Sequence, residues 1–135
     1  MNTQKDQNGF MLLFVGMGWH KNLSPEQTQK VSENWMAWFK GLCEEGKAVA
    51  GHPLGFGGKT VSGKNRTVTD GPFAGAKEAI GGYFLLDVAT MDEAVEIARQ
   101  CPGLPFGVKV EVRPVLSEYP LKSENKMEEA LAGVK

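Results

Sequence analysis

Three side chains have the acid–base chemistry of proton transfer: Asp70, His52 and His20. An imidazole titrates near neutral pH, and a carboxylate acts as a general base when burial or a second acid raises its pKa. Asp70 stands before a Gly-Pro pair, where an aspartate also accepts hydrogen bonds from the backbone of a turn. The sequence therefore leaves two compatible roles open for Asp70, catalytic base and turn residue.

Each histidine has a functional and a structural interpretation. His52 lies between Gly51 and Pro53, so its backbone is expected to be extended, at a strand edge or in a loop. It is the acid–base partner of Asp70 if two loops from one end of a sheet meet, and otherwise it is an exposed loop residue. His20 follows the first apolar run, on a connection where exposure is expected. Asp70 and His52 are thus the candidate catalytic pair.

A second group of charges lies on the last predicted strand. Valines at positions 108, 110 and 112 alternate with Lys109, Glu111 and Arg113, so the valines and the charges lie on opposite faces. A carboxylate between two cations predicts a structural ion-pair ladder across the interface of a dimer. The Arg113 guanidinium also suits bidentate binding of a ligand carboxylate or phenolate. Arg113 and Glu111 are therefore candidate ligand-binding residues, with the ladder as the alternative.

The composition is that of an ordinary globular domain. The chain has 135 residues, 41% of them hydrophobic, and a formal net charge of −1, which suits a single domain with its own core. Basic residues are scattered, so neither nucleic acid nor a membrane surface is an expected partner. The longest apolar run, residues 10–15, is far shorter than the roughly 20 residues of a membrane span, and no signal segment precedes it. A cytoplasmic location is therefore expected.

The sequence contains no motif for a metal, a cofactor or a nucleotide. Cys43 and Cys101 have neither CxxC spacing nor a histidine nearby, so both are predicted to be reduced core residues. The stretch GFGGKTVSGK lacks the spacing of a phosphate-binding loop. It is predicted to form a flexible loop and the start of a hairpin that turns near residues 63–65. No metal and no cofactor are expected.

Two capped helices are predicted. Ser24 and Gln27 have the spacing of a capping box, with Pro25 at the first helical position, and Gly46 ends this helix. Its apolar stripe carries two tryptophans and is expected to pack in the core. Thr90 is expected to cap the second helix, which ends before a Pro-Gly pair.

Buried strands are predicted at residues 9–16 and 81–89, an alternating strand at 106–115, and a shorter strand before the glycine-rich loop. The order of strands and helices is that of two βαβ-like halves, which right-handed crossovers fold into an antiparallel sheet with both helices on one face. The predicted fold is therefore α+β, a ferredoxin-like plait. The first strand is apolar on both of its faces, so the uncovered face of the sheet is expected to pack against a second copy in a homodimer.

The segments TDGPFAGAKEAIGGYFLLD, DEAVEIARQCP and VEVRPV closely resemble the YCII-related, or DGPF-domain, family. The Asp-Gly-Pro-Phe signature of that family corresponds to residues 70–73, and the resemblance runs from about residue 10 to residue 115. It implies a dimeric α+β barrel. Lys77 and Glu78, which closely follow the signature, join Arg113 and Glu111 as candidate ligand-binding residues.

The resemblance also implies a range of functions. Members of the wider family pair a histidine with an aspartate in a cleft, a few relatives remove HCl from chlorinated aromatic compounds, and others occur alongside alternative sigma factors. Much of the family has a glutamate where this chain has Gly75, so a second carboxylate is expected to be missing. Neither histidine lies in the His-bearing motif of the enzymatic relatives, so only Asp70 corresponds to the family's pair.

Two functions follow from these observations. The first is a small-molecule enzyme that uses Asp70, with a histidine, for proton transfer in a cleft of the dimeric barrel. The second is a non-catalytic module that binds a ligand or has a regulatory role. One version of this hypothesis associates the module with transcription. In either case the expected partners are a second copy of the chain and a small anionic or aromatic ligand. The predicted organisation is a flexible N-terminus at 1–8, one domain at 9–116 and a C-terminal tail at 117–135.

Overall fold

The computed structural model describes residues 7–16, 18–55, 57–71 and 79–117. The order of secondary-structure elements agrees with the sequence prediction. The elements are β1 (Gln7–Val15), α1 (Pro25–Glu44), β2 (Ala48–Pro53), β3 (Lys59–Ser62), β4 (Thr67–Asp70), β5 (Ile80–Leu86), α2 (Met91–Ala98) and β6 (Lys109–Leu116), with short 3-10 turns at Trp19–Asn22 and Leu104–Phe106.

Helix α1 begins where the sequence predicts. The Ser24 hydroxyl accepts a hydrogen bond from the Gln27 backbone N–H at 3.1 Å, and the Ser24 N–H donates to the Gln27 side chain at 2.9 Å. These bonds form a capping box and satisfy backbone groups that a helix leaves unpaired at its start. Thr90 caps α2 in a similar way, since its hydroxyl accepts from the Glu93 N–H.

The main sheet has the strand order β2-β5-β1-β6, and every neighbouring pair is antiparallel. Helix α1 therefore connects the parallel strands β1 and β2, which lie on either side of β5. Helix α2 connects the parallel strands β5 and β6, which lie on either side of β1. The α+β class is confirmed, and the strand order is the one expected for a ferredoxin-like plait. Strands β3 and β4 form a separate two-stranded hairpin.

One face of the sheet forms the core with both helices. Phe10, Leu12 and Phe14 of β1 lie on this face, in register with Leu86 and Phe84 of β5. Helices α1 and α2 complete the cluster with residues that are also buried: Leu42, Ala94, Ile97 and Ala98. The period of two along each strand thus directs every second residue towards the helices.

The opposite face, called the outer face below, is apolar at its centre and charged at one edge. Met11 and Leu13 of β1 are half-buried there and pair with Arg113 and Glu111 of β6, both of which are exposed. Within the described ranges neither helix packs on this face, because both contribute to the core on the other side. Val110 and Val112 of β6, and Val108 just before it, face the core, as predicted from their alternation.

The two cysteines differ in environment. Cys101 is buried as predicted, and desolvation raises the pKa of its thiol to about 11, so it stays protonated at neutral pH. The prediction that Cys43 is a core residue is wrong, because Cys43 is exposed on α1. It lies beside the apolar stripe of the helix and not within it.

No helix in the described part of the chain is long and apolar enough to cross a membrane.

Replacing Ser24 by Ala should lower the free energy of unfolding by about 0.5–2 kcal/mol, because the hydrogen bond from the Gln27 backbone N–H to the Ser24 hydroxyl is lost. Urea denaturation measures this difference. Ser32→Ala is the matched control, since Ser32 is exposed in the interior of the same helix, where alanine is the better helix former. Equal stability of the two variants would contradict a contribution from the cap.

The homodimer through the outer face stays a prediction, which Leu13→Lys tests. Leu13 lies at the centre of this face, so a lysine there would put a charge into the interface and should turn a dimer into a monomer in light scattering. Met36→Lys is the control, because Met36 is 73% exposed on α1, on the other side of the sheet. A wild-type protein that is already monomeric at micromolar concentration would end the dimer hypothesis.

Candidate functional site

A cleft of about 790 Å³ opens between α1 and the adjacent ends of β1, β2 and β5. Its lining includes one side of α1, the segment that follows β1, and several glycines of the sheet, among them Gly51 and Gly82. A cavity of this size accommodates a small molecule. The cleft is therefore the candidate functional site among the described residues.

Aromatic rings form the wall of the cleft. Phe14 lies at their centre, edge-on to Trp35 at a centroid distance of 5.1 Å and to Phe84 at 4.8 Å. Trp19 stacks on Trp35 at 6.1 Å, and Phe39 contacts Phe84 at 4.7 Å. The sequence predicted the aromatic residues of α1 as core, and they do pack on the core, but Trp35 and Phe39 also line the cleft.

Gly51 allows the wall to close against β2. A Cβ atom at this position would lie 2.7 Å from a Phe39 ring carbon and 2.8 Å from a Phe84 ring carbon, which is closer than packed atoms approach. A larger residue would therefore displace at least one of these rings. The absence of a side chain at Gly51 sets the shape of the cleft at this point.

Both histidines of the chain belong to the cleft lining. His20 lies in the 3-10 turn after β1, with its ring edge-on to Trp19 at 5.6 Å. His52 lies on the edge strand β2, and its Nδ1 is 2.8 Å from the Tyr83 hydroxyl. Tyr83 is the cross-strand partner of His52 on β5 and does not line the cleft. Because Gly51 faces α1, the next side chain along β2, that of His52, points towards the outer face, and His52 also belongs to the lining of the cleft at this edge strand.

The charges of the lining are positive. Lys40 is the charged residue among the described lining residues, which include no carboxylate. It is exposed and lies 3.9 Å from Glu44, one helical turn further on, a separation at which an exposed pair contributes little. Together with two imidazoles that can be protonated, Lys40 gives the cleft the potential to attract an anionic group.

Asp70 lies on the separate hairpin and is not among the residues that line the cleft. Its carboxylate accepts a hydrogen bond from the Lys59 ammonium, and both side chains are largely exposed. The next backbone N–H, that of Gly71, donates to the Gly58 carbonyl at 3.0 Å. Within the described residues, the partner of Asp70 is thus a cross-strand lysine. A cap formed with residues 72–78 lies outside the described residues, and the catalytic role of Asp70 stays a prediction.

Two of the predicted ligand-binding residues, Arg113 and Glu111, lie away from the cleft. Arg113 and Glu111 are exposed on the outer face and are not part of the described lining. Neither forms an ion pair with another described residue of the same chain, and the ladder across a dimer interface stays a prediction. Lys77 and Glu78 lie outside the described residues. No group of described His, Cys, Asp and Glu residues is arranged to hold a metal ion.

Trp19, which lines the cleft, and Tyr83, which is hydrogen-bonded to His52, are not predicted as functional residues from the sequence. Trp19 stands next to the candidate histidine His20 in GMGWHKN. A large apolar ring in a connection flanked by glycines was the sequence signal that could have indicated a site there. Tyr83 was visible only as part of the family resemblance. Its hydrogen bond to His52 depends on the register of β2 against β5, which local sequence does not encode.

The comparisons with known proteins agree with the resemblance seen in the sequence. The family model of the YCII-related domain matches residues 11–117. An uncharacterised protein of Rhizobium meliloti is 45% identical over 49 residues, which are 36% of this chain and 40% of that protein, so the match spans less than half of the relative.

A solved structure was also found among the similar folds. It is 5-chloro-2-hydroxyhydroquinone dehydrochlorinase from Burkholderia phenoliruptrix in complex with 2,5-dihydroxybenzoquinone. The sequence identity is 16% and the TM-score 0.40, over 77% of this chain and 90% of that one. A similarity of this size does not inform the chemistry of this chain.

The pair of Asp70 and Lys59 predicts a small energetic role for the signature aspartate. Asp70→Asn should change the free energy of unfolding by no more than about 1 kcal/mol, the usual limit for an exposed ion pair, and 1 M salt should reduce the change. A double-mutant cycle with Lys59→Gln, followed by urea denaturation, isolates the pair. A loss well above that limit, independent of Lys59 and of salt, would indicate that Asp70 instead caps a turn.

Proposed function

This chain belongs to the YCII-related domain family, and on that premise we propose that it is a small-molecule enzyme whose histidines transfer protons to and from a ligand in the cleft. The observation that supports this proposal most directly is that the chain has two histidines and both line the same cleft. Imidazole is the side chain that most readily gives and takes protons near neutral pH.

The ligand class follows from the walls and the charges of the cleft. Rings such as Trp35 and Phe84 favour a flat apolar or aromatic molecule, which would stack on them or meet their edges. The ammonium of Lys40 and a protonated imidazole favour an anionic substituent, such as a carboxylate or a phenolate. The proposed ligand is therefore a small aromatic anion.

The proposed chemistry is general acid–base catalysis by His20 and His52. One neutral imidazole takes a proton from the ligand, and the protonated imidazole of the other, or of the same residue in a later step, returns one. A positioned acid or base of this kind accelerates proton transfer by roughly 10²–10⁴-fold. Asp70 remains a proposed contributor, and its route to the cleft would require the hairpin to approach the site.

A non-catalytic ligand-binding module is the second candidate. The observation that favours it is the pairing of Asp70 with Lys59, which occupies the carboxylate that the sequence assigned to proton transfer. A cleft without a carboxylate in its described lining can still bind an anion. The two candidates predict the same ligand class and differ in whether the bound ligand reacts.

Histidine variants separate the two functions. Aromatic carboxylates, phenols and ring-chlorinated hydroquinones are screened for binding by quenching of tryptophan fluorescence, because Trp19 and Trp35 line the cleft. Proton transfer to bound compounds is then followed as deuterium uptake from D₂O, or as chloride release where the ring carries chlorine. We expect His20→Gln and His52→Gln each to lower turnover by at least about 100-fold and to change the binding constant much less.

Two further variants sharpen this test. Lys64→Gln changes a charge at the exposed turn of the hairpin and should leave turnover and binding as in the wild type. Asp70→Asn should lower turnover only if Asp70 contributes to proton transfer. Compounds that bind tightly but neither exchange deuterium nor release chloride would favour the binding module over the enzyme.

A further inference from the structure

The hydrogen bond between His52 and Tyr83 joins two strands of the main sheet. The two residues are cross-strand partners, with Nδ1 and the hydroxyl oxygen 2.8 Å apart and the ring centroids 5.7 Å apart. The backbones of both strands are fixed by the ladder of the sheet. The imidazole is therefore held from a rigid element, as a reactive group must be if it is to keep its geometry through a reaction.

Among the described residues, His52 is the polar partner of the Tyr83 hydroxyl. On the other side of β5, the cross-strand neighbour of Tyr83 is Leu13, which has no polar side-chain atom. The next residue of β5 on the same face is Leu85. Tyr83 is half-buried in this setting, where a phenol hydroxyl usually finds a hydrogen-bond partner.

The bond at Nδ1 limits which nitrogen of His52 can exchange a proton. Because Nδ1 is hydrogen-bonded to Tyr83, Nε2 is the ring nitrogen that is left to exchange a proton with a ligand. A base that takes a proton at Nε2 must carry its own proton on Nδ1 beforehand, and the imidazolium that forms retains it. The Nδ1–H therefore donates to the Tyr83 oxygen in both states, and this oxygen has to act as the acceptor.

We propose that Tyr83 is a positioning residue that holds His52 as the Nδ1–H tautomer and leaves the Nε2 lone pair for the ligand. This inference rests on the proposed function. In the step, Nε2 takes a proton from a C–H or O–H bond of the ligand, and the electron pair of that bond stays on the ligand. The reverse transfer from Nε2 restores the neutral imidazole, and no further reactant is required.

In a catalytic triad, a carboxylate orients the histidine. Here the neutral phenol of Tyr83 would orient His52 without adding a charge. A third group that accepts from the far nitrogen of a histidine fixes both the ring and the tautomer. Here that group comes from the neighbouring strand. The arrangement also leaves the described lining of the cleft free of carboxylates, in keeping with an anionic ligand.

Nitrogen NMR of the ¹⁵N-histidine-labelled protein tests the tautomer without any ligand. We expect the neutral form of His52 to be protonated at Nδ1 in the wild type and to shift towards the Nε2–H form, which free imidazole prefers, in Tyr83→Phe. The His52→Gln spectrum assigns the signal. Leu85→Met is the matched control, since Leu85 lies on the same face of the same strand and the substitution preserves volume.

Kinetics supply the second measurement. Tyr83→Phe should lower kcat by roughly 10- to 100-fold, which is the usual loss when the hydrogen-bond partner of a metal-ligating histidine is removed. The binding constant should stay almost unchanged. A wild-type His52 that is protonated at Nε2, or a Tyr83→Phe variant with wild-type kcat, would overturn the positioning role. Failure of the proposed function has a different signature: His52→Gln then retains turnover, while the wild-type spectrum still reports Nδ1–H.

Discussion

The packing of Phe14 against Trp35 and Phe84 is the interaction on which the site depends. Phe14 is buried on β1, Trp35 is on α1 and Phe84 is on β5, so one ring connects three elements. Edge-to-face contacts of this kind add to the free energy of burial and favour particular ring orientations. They fix the distance between α1 and the sheet, and that distance determines whether a cleft exists there at all.

Side chains alternate between the two faces of the sheet along β2, so the neighbouring residues Gly51 and His52 face opposite sides. Gly51 faces α1, where its lack of a Cβ lets Phe39 and Phe84 approach. His52 is the next residue, so it lies on the opposite face, beside Tyr83. A register shift of one residue would place the imidazole among aromatic rings and the glycine beside the phenol. The ladder between β2 and β5 therefore positions both the aromatic wall and the imidazole of His52.

The sequence was sufficient for features that local signals encode. The N-caps of both helices, the alternating valines around the start of β6 and the hairpin turn each depend on residues within a few positions of one another, and the structure agrees with them. The order of these elements then predicted the sheet, because right-handed crossovers leave few alternatives. Cys43 shows the limit of this reasoning, since a position beside an apolar stripe is not the same as a position on it.

The site depended on contacts between distant parts of the chain, which one sequence does not specify. His52 and Tyr83 are 31 residues apart, and His20 reaches the cleft only because the segment after β1 folds back towards α1. Trp35 and Phe39 have the spacing of core residues, and no local pattern distinguishes a ring that is covered from one that borders an open cleft. Packing across elements made these residues a candidate site.

The position of Asp70 separates the family signature from the chemistry of the cleft. Asp70 and Lys59 are paired residues at the open end of the hairpin, and their side chains meet across it. A two-stranded hairpin is only marginally stable alone, so a cross-strand ion pair at this end favours the paired state. The carboxylate is paired with Lys59 on the hairpin and is not among the residues that line the cleft. An aspartate that organises the hairpin is therefore compatible with a site that uses histidines and binds an anion.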